Sequence, residues 1–169
     1  LQAGKIENRL SRMAVLMSSP VPLTVTYSAA LADDVLSVAI LSSGALETER
    51  ATQEWAVVNI DLRTGQEITF DDLFTDADEA RAKMEETIAD EILPDMSAHL
   101  AAAELLPLPD VFSLTEYGLT LHYPIRRFET LSERAGTITF LWSELADVLD
   151  LSEDSVLTRL GVGKHLKLA

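Results

Sequence analysis

Over residues 23–31, Leu23, Val25, Tyr27 and Ala29 share one side of an alternating pattern. A period of two belongs to a β-strand. Ala32-Asp33-Asp34 reads as a turn. Residues 35–42 alternate again, with Leu36, Val38 and Ile40 set against Val35, Ser37, Ala39 and Leu41. The two runs predict an antiparallel hairpin. Residues 42–52 are polar, hold Gly44 and read as a loop. A third strand spans 54–62. Trp55, Val57, Asn59 and Asp61 lie on one face, and Ala56, Val58, Ile60 and Leu62 on the other. The second face is the apolar one and is expected to meet the core. Arg63-Thr64-Gly65-Gln66 turns the chain into a short return strand over 67–70, with Gly65 free to take positive φ.

The period then changes to three or four. Thr69-Phe70-Asp71-Asp72 and Thr75-Asp76-Ala77-Asp78 both match a capping box. The second opens a helix to Leu93 whose buried stripe is Ala77, Ala80, Met84, Ile88 and Ile92. Pro94 ends it. A further helix is expected from Met96 to Leu106, before Pro107 and Pro109. Residues 111–123 predict a second hairpin around Glu116-Tyr117-Gly118, with Phe112 and Leu114 facing Leu119 and Leu121. A last strand covers 136–142. Ser143 is expected to cap a helix through Leu149, and Ser152 another to Leu160 before Gly161. At the other end, Ile6, Leu10, Met13, Ala14 and Met17 are spaced as one face of a short amphipathic helix, broken by Ser18-Ser19-Pro20-Val21-Pro22.

Hairpins with a long helix between them, and no regular strand–helix–strand alternation, predict an α+β fold: an antiparallel sheet built from hairpins with helices packed on one face. The expected organisation is an N-terminal extension over residues 1–20, an α+β domain over 21–150, and a C-terminal helix and tail over 151–169. The 169 residues suit one domain, and the 47% apolar content can fill a core. No apolar run reaches the ~20 residues that span a bilayer, so direct membrane insertion by this segment is not expected. The chain opens on Leu1 without Met or a signal peptide, as expected of an excised portion of a longer protein.

Charge narrows the partners. The net charge of −15 is concentrated in residues 31–110, where four basic residues meet nineteen acidic ones. Nucleic acid requires clustered Lys and Arg, so it is excluded as a partner. A cationic protein would be steered toward such a surface, although the same charge also serves plain solubility. The chain has no cysteine, which removes disulfides, thiolate catalysis and Cys-ligated zinc.

No constellation of catalytic residues stands out. His99, His122 and His165 lack the spacing of metal ligands on one helix. His122, between Leu121 and Tyr123, reads as a structural or edge residue. No Gly-x-Ser-x-Gly elbow or Gly-rich phosphate loop occurs. The acids from Asp71 to Asp78 lack the alternation, central Gly and closing Glu of a calcium loop; helix caps account for them. No cofactor and no metal are expected. Arg126-Arg127-Phe128 is basic and aromatic within an acidic chain, and is the candidate partner contact. Its competing explanation is a charged connection satisfied by Glu129 and Glu133. Trp55 and Trp142 read as packing residues.

Three stretches resemble one family. Asn59-Ile60-Asp61-Leu62-Arg63-Thr64-Gly65-Gln66-Glu67-Ile68-Thr69-Phe70-Asp71-Asp72-Leu73-Phe74 is similar to the strand, Asp-Leu-x-Thr-Gly, strand, Asp-Leu-Phe signature of the RsiV-like C-terminal domain. The segment from Phe112 to Leu121 resembles that family's second hairpin. Ala135 to Leu145 resembles its last strand and helix start. The resemblance covers roughly residues 23–150. It implies an extracytoplasmic bacterial domain, often behind a membrane anchor, that is not itself the catalytic part. Relatives include lysozyme-sensing anti-sigma factors and domains beside peptidoglycan deacetylases. The chain departs from the family pattern over Pro124 to Arg134, which lacks the usual aromatic, Pro- and Ala-containing connection. The expected function is therefore binding or sensing at the cell envelope, with a basic protein such as lysozyme as partner. The alternative is an accessory or catalytic module acting on cell-wall glycans, with its carboxylates among the acids of residues 71–95.

Overall fold

The computed structural model describes residues 23–45, 51–92, 107–123 and 136–166. Strand β1 (Leu23–Ala32) pairs antiparallel with β2 (Val35–Ala45), and β2 with β3 (Ala51–Asp61). The strands run further into the polar stretch around Gly44 than alternation suggests. Asp33 takes φ 52° in the β1–β2 turn, a left-handed conformation that Asp tolerates better than most residues. The return strand β4 is only Gln66–Glu67. Ile68 and Phe70 leave it to enter the core, at 4% and 5% exposure. These four strands form the first sheet, in the order β1-β2-β3-β4.

The second sheet is β5 (Phe112–Leu114), β6 (Gly118–His122) and β7 (Thr137–Leu141), also antiparallel. Its hairpin has the expected register: Phe112 lies opposite Leu121 and Leu114 opposite Leu119. Gly118 is needed where it stands. A Cβ there would lie 2.3 Å from the Phe140 carbonyl oxygen, and backbone cannot yield as a flexible side chain can. The fold is thus α+β and antiparallel, as expected, but in two sheets instead of one.

A 3₁₀ turn (Phe70–Leu73) precedes helix α1 (Ala77–Thr87). The Asp72 carboxylate accepts the Thr69 N–H and hydroxyl, both at 2.7 Å. Asp76, rather than Thr75, is the N-cap of α1, and accepts from the Asp78 and Glu79 amides. Ala80, Met84 and Ile88 are fully buried. From Ile88 to Ile92 the helix widens into a π turn. The segment after β7 differs from expectation. Residues 142–148 form successive turns and no helix, because they are tied laterally to the 3₁₀ region: the Thr75 N–H donates to Val148 O, and the Asp150 N–H to Leu73 O. Helix α2 (Val156–Arg159) is capped by Ser155, not Ser152, and α3 (Val162–Leu166) follows Gly161 at φ 85°. The helices expected over 4–17 and 96–106 lie outside the described residues.

One core joins both sheets to the helices. It includes Phe70, Leu73, Met84, Leu114, Leu119, Phe140, Trp142, Leu157 and Val162. The first sheet turns the unexpected face toward the second. Ser37, Ala39 and Asn59 are buried, whereas Ala56, Val58 and Ile60 on the opposite face lie outside the core cluster. Leu62 is 49% exposed. The reason is a polar one. Strand β5 pairs on one side only, with β6, and its Phe112 carbonyl and Leu114 amide point away from that partner. Asn59 Nδ2 donates to Phe112 O at 2.8 Å, and Leu114 N donates to Ser37 Oγ at 2.9 Å. Ser37 Oγ in turn donates to Asn59 Oδ1 at 2.7 Å. Two side chains of one sheet thus satisfy the open edge of the other.

Arg159 fixes the other end of the first sheet. It donates to Asp34 at 2.6 Å and to both Asp61 oxygens at 2.8 and 3.2 Å. The guanidinium bonds hold the Asp61 carboxyl below the ordinary carboxylate range, helped by the Arg63 amide. The geometry is bidentate, the strongest that this pair can adopt.

Asn59→Leu leaves the Phe112 carbonyl buried without a donor and strips Ser37 of its acceptor. We expect a loss of about 2–3 kcal/mol in urea unfolding. An unchanged midpoint would show that the relay does not hold the sheets together.

Candidate functional site

Where the two sheets meet, β3, β4, the 3₁₀ turn and the approach to β5 enclose an open cleft of about 450 Å³. Its floor is Val57, Ile68, Phe70 and Phe112, with the Asn59 amide between them. Thr69 and Val111 complete the wall. Among the described residues the rim carries Glu67, Asp71 and Asp110, with Arg81 as the one cation. Each piece has a local cause. Strand β4 ends after two residues, which turns Ile68 and Phe70 inward and leaves Glu67 outside. Asp71 sits in the first turn of the 3₁₀ segment. The Arg81 guanidinium comes from α1 and lies 4.3 Å above the Phe70 ring, with Asp110 at 3.6 Å. Phe70 is itself held edge-on by Phe112, at 5.9 Å between ring centroids.

The cleft can hold a cation with an apolar stem. A guanidinium or ammonium gains from the face of an aromatic ring and from carboxylates beside it. Arg81 already occupies such a position. The Asp110 side chain is 91% exposed, so an incoming cation reaches it without displacing protein. Among the described residues, no His or Ser lines the cleft.

The one close pair of a hydroxyl and an imidazole found among the described contacts lies elsewhere. Ser113 Oγ and His122 Nε2 are 2.8 Å apart, diagonally across the β5–β6 hairpin. A hydrolytic serine needs an exposed hydroxyl and a base oriented through its second nitrogen. Here the imidazole is 4% exposed and packs against Trp55 at 4.3 Å between centroids. His122 Nδ1 has no hydrogen-bond partner, and neither does the Trp55 indole N–H. Burial drives the His122 pKa down to about 4, so the ring is neutral. It is a packed junction residue, in keeping with the structural role expected of it. Beside it, burial together with the Glu85 charge raises Tyr123 to about 12.

Of the residues singled out in the sequence, Arg126, Arg127 and Phe128 lie outside the described residues, as does His99. Trp142 is buried and donates its indole N–H to Thr115 O at 3.0 Å. Of the acids from Asp71 to Asp78, Asp72 and Asp76 cap as expected, while Asp71 lines the cleft. No group of three or more His, Asp or Glu placed to hold a metal occurs among the described residues. Nor is any helix among them long and apolar enough to cross a membrane. The cleft was not foreseen. Its one sequence signal was Phe70 between Thr69 and Asp71, an apolar residue at a strand end beside a capping box.

The chain matches no family model and no curated protein. Solved structures do resemble it. A DUF3298 family protein from Pseudomonas aeruginosa PAO1 superposes with a TM-score of 0.56 at 13% identity, over 83% of this chain and 67% of the other. A DUF3298 family member from Bacteroides fragilis NCTC 9343 gives 0.57 at 14% identity, over 93% of this chain and 66% of the other. The likeness is one of fold, to a domain class of unknown function, and the chain spans about two thirds of each neighbour's length.

His122 makes the stability pH-dependent. The unfolded imidazole takes up a proton near pH 6.5, and the folded one only near pH 4. The stability gained by keeping it neutral is complete above pH 6.5 and is lost as pH falls through that window. The full span is on the order of 3 kcal/mol. His122→Gln removes this titration, so its urea midpoint should vary less than wild type between pH 6.5 and 4. An equally steep loss in the variant would assign the acid sensitivity to other groups.

Proposed function

We propose that this is a non-catalytic, extracytoplasmic binding or sensing domain of a bacterial cell-envelope protein, and that it recognises a basic protein partner. The observation that carries the reading is the cleft: an aromatic floor with three rim carboxylates and one cation, already occupied by a guanidinium of the chain itself. A lysine or arginine side chain from a partner fits the same chemistry beside Arg81, by pairing with the exposed rim carboxylates Asp71 and Asp110. The acidic surface over residues 31–110 supports fast association with a cationic protein.

The sequence resemblance to the RsiV-like C-terminal domain supplies the setting and names lysozyme as the partner to try. The fold shared with DUF3298 proteins is compatible with that setting. A glycan-directed activity receives less support. The chemistry at the cleft is that of ion pairing and stacking, and in the Ser113–His122 pair the imidazole is buried against Trp55.

The test is binding of the intact chain to a basic lysozyme across ionic strength. Complex formation at low salt, weakening steadily as salt rises, is the expected result. Asp71→Asn combined with Asp110→Asn should weaken it by about tenfold, the equivalent of two partly exposed pairs. Glu153→Gln, on the exposed approach to α2, should leave it unchanged. Absence of binding at low salt removes the lysozyme reading. Equal binding by the double variant removes the cleft.

A further inference from the structure

Strand β3 is longer than the strand that borders it. It runs from Ala51 to Asp61, whereas β4 pairs with it only at Ile60 and Asp61. Among the described residues no other strand follows β4 in this sheet. In an antiparallel ladder, successive residues turn their peptide groups to opposite sides. Two bonds fix the side that each residue of β3 uses. The Leu62 N–H donates to Asp34 O at 2.7 Å, so even-numbered positions address β2. The Ile68 N–H donates to Asn59 O at 2.9 Å, so odd-numbered positions address the β4 side. Trp55 and Val57 therefore aim their N–H and C=O groups along the line that β4 has left, where no described strand reaches them. The cleft opens at this same edge, since Val57 and Asn59 line it.

We infer that the cleft takes an extended, basic peptide segment, which adds to β3 as an antiparallel strand in the line that β4 abandons. This rests on the cleft being the binding site for a cationic protein, and specifies how such a partner enters it. Three observations favour this occupant. The open edge offers two N–H and two C=O groups, the main-chain pattern by which a sheet accepts an added strand. Strand β3 has no proline over its eleven residues, so its own backbone does not block a partner. The charge is complementary: Asp71 and Asp110 stand on the rim, and the Asp110 side chain is 91% exposed.

Register then places the basic residue. Ile68 already stands opposite Asn59, so the added segment begins beside Val57 and runs toward Trp55, in the direction of β4. Residues directly opposite each other in an antiparallel pair point to the same face. The residue opposite Val57 therefore sends its side chain inward, over the floor of Ile68 and Phe112. An aliphatic stem rests there. Arg81 keeps the face of Phe70, and the cationic head pairs with the carboxylates beside it. The neighbouring residues of the segment point away from the cleft, so one Lys or Arg near its start suffices.

The probe is the peptide acetyl-Thr-Lys-Val-Thr-Val with a fluorophore at its C-terminus, titrated against the full chain at low salt and read by anisotropy. Saturable binding is expected, weakened about tenfold by Asp71→Asn combined with Asp110→Asn. Methylating the backbone nitrogen of the peptide's Lys removes its bond to Val57 O, and should weaken binding about tenfold. Methylating the nitrogen of the Val that follows, which faces away from β3, should change it by less than about twofold. Equal losses from the two methylations, or no loss from either, would overturn the inference. The lysozyme titration separates the two readings. Lysozyme binding through the rim acids without any peptide binding would overturn strand addition and leave the cleft as a cation site. Peptide binding with the stated methylation pattern, but no lysozyme binding, would uphold strand addition and remove lysozyme alone.

Discussion

The open edge of strand β5 governs how this molecule is assembled. A three-residue strand that pairs on one side alone presents a carbonyl and an amide that cannot stay buried without partners. Ser37 and Asn59 supply those partners from the neighbouring sheet and bond to each other as well. This relay fixes the relative position of the two sheets to a single register, because either side chain displaced by one rung would face the wrong peptide group. It also decides which face of the first sheet turns inward. The inward face is mixed: Val35, Ala39, Trp55 and Val57 are apolar, and Ser37 and Asn59 bring the hydrogen-bonding groups that β5 needs. Each peptide group left unsatisfied would cost about 1–3 kcal/mol, and the relay removes that cost at both Phe112 and Leu114.

The cleft is a consequence of the same junction. Because β5 meets the first sheet edge-on at Asn59, a gap opens between β3, the truncated β4 and the approach to β5. Phe70 and Phe112 floor it, the acids of the 3₁₀ turn and of residue 110 rim it, and α1 extends Arg81 across it. The acids and the aromatic ring are thus not a separate functional insert. They are the exposed edge of the structural joint, and a partner that engages them touches the region on which the arrangement of the sheets depends.

Two further features follow from what the junction leaves over. Trp55, on the inward face of β3, packs against His122, and burial lowers the pKa of that imidazole to about 4. The apolar face turned outward creates a second surface with a demand of its own. Arg159 ties the turn at Asp34 and the end of β3 at Asp61 to α2, so the C-terminal segment belongs to the same body as the sheets.

Periodicity in the sequence determined the strands, both hairpins, the pairing of Phe112 and Leu114 with Leu121 and Leu119, the stripe of Ala80, Met84 and Ile88, and the first of the two capping boxes. These are properties of residues a few positions apart, where the backbone repeat alone sets which side chains meet. Only the tertiary structure decided which face of the first sheet is inside, that residues 142–148 are turns, and that Ser113 reaches His122. The same holds for the meeting of Phe70, Arg81 and Asp110. Each depends on a hydrogen bond or charge supplied by a residue distant in sequence, as Leu114 is from Ser37 or Arg159 from Asp34. A period along the chain cannot specify which unsatisfied group arrives opposite it in space.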